Sequence, residues 1–155
     1  MIPDSVTSIG EDAFSDCSSL TSVVIPDNVI SIGNHTFYYC SSLTSVEIPD
    51  SVTSIGDWAF YYCRSLTSVE IGDSVTSISD RAFADCSSLT RVVMPNSVTT
   101  IDYGAFSGCD NLKEIKFKGT RKEATQSGLG YQNRKKWRDG SAIERIICSD
   151  GVIEL

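Results

Sequence analysis

The sequence predicts a solenoid that is mostly β-structure, with two narrow parallel sheets, short helical or 3₁₀ turns and a C-terminal cap. Three observations predict this fold: a repeat of 23 residues, an apolar pattern that changes period inside each repeat, and a turn signal at a fixed place in every copy. One such repeat cannot bury its own apolar side, so successive copies must stack. We predict a five-coil solenoid over residues 1–117 and a cap over residues 118–155.

Five apolar columns define the repeat, because the same residue type returns at the same step in five copies. They are Val6, Val29, Val52, Val75 and Val98; Ile9, Ile32, Ile55, Ile78 and Ile101; Phe14, Phe37, Phe60, Phe83 and Phe106; Cys17, Cys40, Cys63, Cys86 and Cys109; and Leu20, Leu43, Leu66, Leu89 and Leu112. Equivalent strands of stacked coils lie about 4.8 Å apart. We therefore expect ladders of identical side chains in the interior, where truncation to Ala costs about 2–5 kcal/mol.

Each copy has three short sides, which the third copy illustrates. Residues 43–48 end in the period-two alternation of a half-buried strand, and Pro49 with Asp50 ends that strand. Residues 52–55 predict a second, shorter extended segment. Residues 59–63 then have helical spacing over a length that allows only one or two turns of α- or 3₁₀-helix.

The last part of the chain is predicted to cover the open end of the stack, where two strand edges and an apolar cross-section would otherwise be exposed. Thr120 to Glu123 fits a capping box and predicts the start of a short helix. Residues 149–151 (Ser-Asp-Gly) predict the turn of a β-hairpin after a loop. Trp137 and Tyr131 are the side chains that we expect to lie over the last coil.

The repeated unit resembles the BspA-like, treponemal-type class of leucine-rich repeat. The shared pattern is Leu-x-x-Val-x-Ile-Pro-Asp-Ser-Val-x-Ser-Ile-Gly-x-x-Ala-Phe-x-x-Cys, which extends from Met1 to about Leu112 and, less strictly, through residues 119–120 and 147–151. The resemblance implies a leucine-rich-repeat solenoid from a surface or secreted protein of bacteria or some parasites, which binds host or neighbouring-cell proteins. It implies no catalytic residues.

The start of the chain carries no recognisable export signal, because residues 1–3 offer neither a basic nor an apolar leader region, and no apolar run is long enough to span a membrane. The chain begins inside a repeat whose preceding strand is missing, so we expect the native protein to continue N-terminally. The resemblance implies a secreted or cell-surface location. We also expect the uncapped first coil to favour self-association.

Charge divides the chain where the repeats stop. Residues 1–112 carry three basic and 14 acidic side chains, whereas residues 113–155 carry ten basic and six acidic ones. Nucleic-acid binding depends on Lys and Arg against the phosphates, so we expect no nucleic-acid partner for this acidic solenoid. A solvated surface is the simplest interpretation of the charge.

The repeat cysteines predict buried free thiols. Stacked side chains point the same way, which places their β-carbons about 5 Å apart, beyond the usual disulfide range. No Cys-x-x-Cys pair occurs and His35 is the sole histidine, so we expect no metal, cofactor or enzymatic activity. Calcium along the row of aspartates that follows the long strands is an alternative that stays open.

The candidate binding residues are outward positions that vary between copies. Two neighbouring copies bring aromatic side chains to the helical edge, between acidic copies: His35, Tyr38, Tyr39, Trp58, Tyr61 and Tyr62. The outward face of the long strands adds Glu47, Glu70 and Arg91. Amphipathic aromatic residues are enriched in protein interfaces and also stack on sugar rings.

Two functions follow from this surface. The first is a non-enzymatic scaffold for protein–protein interaction or adhesion, with a protein ligand on a host or neighbouring cell. The alternative is a carbohydrate-binding module that uses the Tyr/Trp cluster to bind a glycan. A structural interpretation also stays open, in which the rings lean back and only cover the turn beneath them.

Overall fold

The structure is a computed structural model that describes residues 2–129 and 135–155, and it confirms the solenoid. Each of coils 2 to 5 contributes a short strand, an edge turn and a long strand, in that order, whereas coil 1 contributes the short strand, the edge turn and an isolated bridge from Ser22 to Ser45. We number the coils 1 to 5, as residues 3–25, 26–48, 49–71, 72–94 and 95–117.

Two sheets follow the length of the stack. The short sheet is parallel and consists of β1 (Ser8–Ile9), β2 (Ser31–Ile32), β4 (Ser54–Ile55), β6 (Ser77–Ile78) and β8 (Thr100–Ile101). The long sheet consists of β3 (Ser45–Ile48), β5 (Ser68–Ile71), β7 (Arg91–Met94) and β9 (Glu114–Phe117), followed by two cap strands, β10 (Arg145–Cys148) and β11 (Gly151–Glu154). Adjacent coils pair one repeat length apart, for example Ser45 with Ser68. Equivalent side chains therefore lie over one another, as predicted.

The phenylalanine column forms one continuous stack through the core. Successive ring centroids, starting from the Phe14–Phe37 pair, lie 5.2, 5.0, 5.1 and 5.5 Å apart. The ring planes are nearly parallel, within 3°, 13°, 2° and 6° of each other. The rings from Phe37 to Phe106 are completely buried. The spacing follows the distance between paired strands, so backbone register sets the ring stack.

The cysteine column is buried and reduced, as predicted, from Cys40 onward. Each of these thiols donates a hydrogen bond to a phenylalanine carbonyl of the preceding coil, which the sequence did not reveal. The Sγ to O distances are 3.1 Å for Cys40 to Phe14, 3.3 Å for Cys63 to Phe37, 3.2 Å for Cys86 to Phe60 and 3.2 Å for Cys109 to Phe83. The carbonyls of Phe14, Phe37 and Phe60 also accept from the amide of the cysteine three residues later, at 3.2, 3.2 and 3.4 Å, so the weak thiol donor adds a second bond to each of them.

The edge turns are more irregular than a helix. The amide of Tyr38 donates to the carbonyl of His35 at 3.0 Å, which is a 3₁₀-type bond, whereas the amide of Phe37 donates to Ala59 of the next coil at 2.7 Å. His35 and Tyr39 have φ of 52° and 56°, in the left-handed region. Because these residues interrupt the helical conformation twice per coil, each edge remains a series of tight turns, which bond to the next coil through alternate amides.

The cap contains the predicted helix and hairpin. Helix α1 (Arg121–Gln126) begins at Thr120, whose hydroxyl and amide both pair with Glu123 in a capping box. Strands β10 and β11 pair antiparallel, with Cys148 opposite Gly151. Strand β10 also pairs with β9, so the cap extends the long sheet. A separate domain over residues 118–155 stays a prediction.

A 3₁₀ turn, Lys135–Arg138, covers the last coil. Trp137 is 3% exposed and packs edge-on against Phe106, with ring centroids 6.2 Å apart, as predicted for this indole. The carbonyl of Trp137 also accepts from the amide of Phe106 at 2.9 Å, which continues the bonds of the edge into the cap. The predicted role of Tyr131 lies outside the described residues.

Coil 1 is less buried than the coils that follow. Phe14, Leu20 and Val23 are half-buried, and Cys17 is exposed. Self-association through this coil stays a prediction. Within residues 2–129 and 135–155, no helix combines the length and apolar character that a bilayer crossing needs.

The contribution of each phenylalanine ring to the free energy of unfolding should depend on its place in the stack. We expect Phe60→Ala to lower it by about 3–5 kcal/mol, since Phe60 loses two stacked neighbours and leaves a closed cavity. Phe14→Ala is the matched control and should cost clearly less, because Phe14 has one stacked neighbour and is half-buried. Urea unfolding measures both, and equal losses would contradict the ladder as the core.

Thiol reactivity should separate Cys17 from the rest of its column. Burial raises the pKa of Cys40 to about 11 and that of Cys109 to about 12, which suppresses the reactive thiolate near neutral pH. We expect iodoacetamide to alkylate Cys17 in the folded protein and to leave Cys63 and Cys86 unmodified until the chain is unfolded. Peptide mass spectrometry checks this, and native-state labelling of Cys63 as fast as that of Cys17 would disprove it.

Candidate functional site

The structure brings the six predicted aromatic residues together as one surface, which we call the aromatic edge: His35, Tyr38, Tyr39, Trp58, Tyr61 and Tyr62. Three ring pairs stack between coils 2 and 3, with centroids 6.4 Å apart for His35 on Trp58, 5.3 Å for Tyr38 on Tyr61 and 4.2 Å for Tyr39 on Tyr62. Each pair is one repeat length apart in the sequence. The edge therefore results directly from coil register.

Lateral contacts join the three ring pairs. Tyr38 lies 4.7 Å from Tyr39 in a tilted arrangement, and Trp58 meets Tyr61 edge to face at 4.7 Å. His35 meets Tyr38 edge to face at 5.4 Å. All six side chains are half-buried. The rings thus cover the turns and still present part of their surface to solvent, so the two sequence interpretations of this cluster each describe part of the arrangement.

Two guanidinium groups of the same chain lie over the outer rings. The Cζ of Arg81 lies 4.8 Å from the centroid of Trp58 and 5.0 Å from that of Tyr103, and its Nη1 pairs with Asp80 at 3.3 Å. The Cζ of Arg64 lies 3.8 Å above Tyr62. Tyr62 stacks on Tyr39 through its opposite face, since one face cannot hold both groups. These cation–π contacts leave little open ring surface on coil 3.

Carboxylates border the edge on both sides. Burial and a hydrogen bond to Asp85 of coil 4 raise the pKa of Tyr61 to about 12. On the other side, burial and the charges of Tyr39 and Asp16 raise the pKa of Tyr38 above its ordinary value. Both phenols therefore stay protonated and uncharged at neutral pH.

Glu11, Asp12 and His35 form a small group of potential metal ligands at the coil 1 side. Each offers one ligand atom, and these atoms lie within 4.8 Å of one another. The Nδ1 of His35 lies 3.9 Å from the nearest oxygen of Glu11. Two of the three side chains are exposed and only three donors meet, so the group is an open cluster and does not supply the four ligands of a structural zinc site.

The three predicted residues of the long sheet lie on a different side of the coils. Glu47 and Glu70 are neighbours in register on β3 and β5 and line an open groove of about 900 Å³. Lys118 also lines this groove, with its Nζ 2.7 Å from an oxygen of Asp73. Arg91 is exposed on β7 outside the groove. The structure thus brings the two glutamates together and separates them from the aromatic edge.

The sequence analysis did not identify several residues that contact the aromatic edge or line the groove. Arg81 occupies the same repeat position as Trp58, so comparison of the columns could have placed it on the ring. Asp85 occupies the repeat position of Tyr62 but interacts with Tyr61, so comparison within one column would not have identified this contact. Lys118 could not be found in this way, because its pair with Asp73 spans 45 residues and connects different repeat positions.

The raised pKa of Tyr61 predicts a loss of stability in alkali. Between pH 10 and about 12 the unfolded phenol releases its proton while the folded one retains it, so unfolding becomes easier as pH rises through this window. We expect Tyr61→Phe to lose less stability than the parent protein between about pH 10 and about pH 12 in urea unfolding. Identical losses in the two proteins would show that Tyr61 titrates normally.

The chain matches the family profile described as "BspA type Leucine rich repeat region" in six copies over residues 2–133. A search of curated proteins finds no match. A crystal structure of a leucine rich cell surface protein from Faecalibacterium prausnitzii A2-165 is 38% identical, with a TM-score of 0.79 over 84% of this chain and 34% of that one.

Two further solved structures share the fold. A leucine-rich repeat protein from Bacteroides ovatus is 39% identical over 72% of this chain and 35% of its own, with a TM-score of 0.51. A leucine rich repeat protein from T. pallidum is 28% identical over 82% of this chain and 78% of its own, with a TM-score of 0.52. The chain spans about a third of the first two proteins. The repeat, the stacked coils and these likenesses together show that the chain belongs to the BspA-type leucine-rich-repeat family.

Proposed function

We propose that this chain is a protein-interaction module of a cell-surface or secreted protein, and that the aromatic edge is its contact surface. The stacked ring pairs carry the proposal: six half-buried aromatic side chains form one continuous patch on adjacent coils. Protein interfaces are enriched in Tyr and Trp, which combine apolar area with a polar group. Membership of a repeat family with an extended outer surface supports the same function.

The ring faces favour a protein over a carbohydrate as the ligand. A sugar ring stacks on an open aromatic face, but Tyr62 already holds Tyr39 on one face and Arg64 on the other. Trp58 is covered by Arg81 on the coil 4 side. A protein partner can instead pack against the edges of these half-buried rings and bond to phenol hydroxyl groups. Glycan binding is therefore the second candidate.

We further propose that the role is adhesion without catalysis. One solved relative is described as a cell surface protein, which supports an extracellular location for the protein that contains this chain. Leucine-rich-repeat folds are typically binding scaffolds. The aromatic edge holds His35 as its one conventional acid–base group, and the Nδ1 of that imidazole lies 3.9 Å from a carboxylate oxygen of Glu11.

Binding to intact cells tests the proposed function. We expect the labelled protein to bind host or neighbouring bacterial cells, and Tyr39→Ser with Tyr62→Ser to weaken this binding about tenfold, because the double change removes one of the three stacked ring pairs of the contact surface. Binding should disappear after protease treatment of the cells and survive periodate oxidation of their glycans. Flow cytometry measures the binding of each protein to treated and untreated cells.

Tyr103→Ser is the matched control, since it removes one exposed edge aromatic outside the six-ring patch. Thermal unfolding of each variant separates lost binding from lost folding. Binding that survives protease but not periodate would replace the protein ligand with a glycan. Equal loss in the control and the double variant would show that the aromatic edge is not the contact surface.

A further inference from the structure

The long sheet carries a second surface on its outward side, an open groove of about 900 Å³ that we call the sheet groove. It extends over coils 1 to 4. Val24 lines it at coil 1, and Glu47 and Glu70 line it at coils 2 and 3. At coil 4, Lys118 meets Asp73 in the groove. The sheet groove therefore has an apolar end, a charged middle and a second end that a lysine of the chain already occupies.

Val24 is a large apolar side chain that the described chain leaves bare inside the groove. It is 74% exposed and occupies the repeat position of Glu47. Val93 has the same repeat position in coil 4, yet it is 3% exposed. One outward valine of this column is thus covered and the other is not. Burial of Val24 against a partner would remove apolar surface from water, which favours binding.

The middle of the groove has an excess of negative charge. The groove lining contains five exposed carboxylates and one ammonium group: Asp27, Glu47, Asp50, Glu70 and Asp73, with Lys118. Glu47 and Glu70 lie in register on neighbouring strands, and such strands are about 4.8 Å apart. Within residues 2–129 and 135–155, Asp73 alone of the five pairs with a Lys or Arg side chain. Like charges on neighbouring strands repel, so a cationic ligand would relieve this repulsion.

Lys118 shows that the groove accepts a primary ammonium group. Its Nζ lies 2.7 Å from an oxygen of Asp73, across 45 residues of chain. The hydrogen bond to Asp73 raises the pKa of Lys118 above its ordinary value, and the charges of Glu70 and Asp50 add to this rise. The field inside the groove therefore favours a positive charge at the place where the chain's own lysine lies.

We propose that the sheet groove binds an extended segment of a partner protein that carries an apolar side chain followed, two and four residues later, by basic side chains. Alternate side chains of an extended segment face the same way. The apolar side chain packs on Val24, and the basic ones pair with Glu47 and Glu70. The inference goes beyond the proposed function, because the groove lies on a different side of the coils from the aromatic edge.

The bare valine favours a peptide over the other cations that carboxylates attract. Calcium, or a small polycation without side chains, would engage the carboxylates and leave Val24 in water. A segment with both kinds of side chain matches both parts of the groove. Its flexible basic side chains also adapt to the difference between the peptide step of about 6.6 Å per two residues and the coil step of about 4.8 Å.

NMR titration of the isotope-labelled protein tests this with the peptide Val-Ser-Lys-Ser-Lys, acetylated and amidated at its ends. We expect saturable shifts at Val24, Glu47 and Glu70, with a Kd on the order of 0.1–1 mM at low salt. The same peptide with both lysines acetylated keeps its length and loses its charge, so it should bind at least about tenfold more weakly.

Substitutions in the groove test each contact separately. Glu47→Gln with Glu70→Gln should weaken peptide binding about tenfold. Lys118→Gln should strengthen it about threefold, because it removes the competing cation and frees Asp73. Val24→Ser should weaken binding of this peptide about fivefold and leave binding of Ser-Ser-Lys-Ser-Lys unchanged, since that peptide has no apolar side chain to place there.

A matched control separates a groove site from general attraction to an acidic protein. Glu144→Gln with Glu154→Gln makes the same charge change at exposed residues outside the groove and should leave the Kd within about twofold. Thermal unfolding of each variant checks that the fold is intact.

Four results would overturn the inference. They are equal binding of the acetylated peptide, equal weakening in the Glu144 and Glu154 control, weaker binding after Lys118→Gln, and saturation of the groove signals by Ca²⁺ at concentrations where the peptide has no effect. The cell-binding experiment alters residues of the aromatic edge, so its outcome is independent of these four.

Discussion

The distance between paired strands is the constraint on which the rest of this structure depends. Backbone hydrogen bonds between coils fix a spacing near 5 Å, and every column of side chains adopts it, as the phenylalanine stack shows. The outer corners follow the same rule, since the hydroxyl of Thr44 donates to the carbonyl of Thr21 and that of Thr67 to the carbonyl of Thr44, both at 3.1 Å. Side chains therefore satisfy backbone carbonyls from one coil to the next.

This constraint separates the interior from the surface in a simple way. An inward side chain must pack against the equivalent side chain of the next coil. This requirement accounts for the repeated Phe, Leu, Ile and Cys. Outward positions are under no such restriction, so each column can change from coil to coil. Substitutions at equivalent positions of adjacent coils lie next to each other on the surface. Tyr38 and Tyr39, followed one repeat later by Tyr61 and Tyr62, form a surface patch for this reason.

Electrostatics on the edge follow from the same stacking. One repeat position holds an acid in coil 1, aromatic rings in coils 2 and 3 and a base in coil 4. It therefore places opposite charges at the two ends of the aromatic edge, with Asp12 on one side and Arg81 on the other. The base is held by ring faces and a carboxylate of its own chain. The two ends of the aromatic edge therefore differ in charge, although Asp12 and Arg81 occupy the same repeat position.

Most of the fold was predictable from the residues, because a fixed repeat determines register and register determines which side chains meet. The sequence alone determined the ladders, the capping box at Thr120, the hairpin at residues 149–151 and the grouping of the six aromatic residues. The tertiary structure decided what the repeat does not encode: the left-handed residues of the edge, the thiol bonds to Phe carbonyls, the Arg64 group over Tyr62, the contact of Arg81 with Tyr103, and the pair between Lys118 and Asp73. These features depend on backbone angles and on contacts between different columns, which periodicity leaves unspecified.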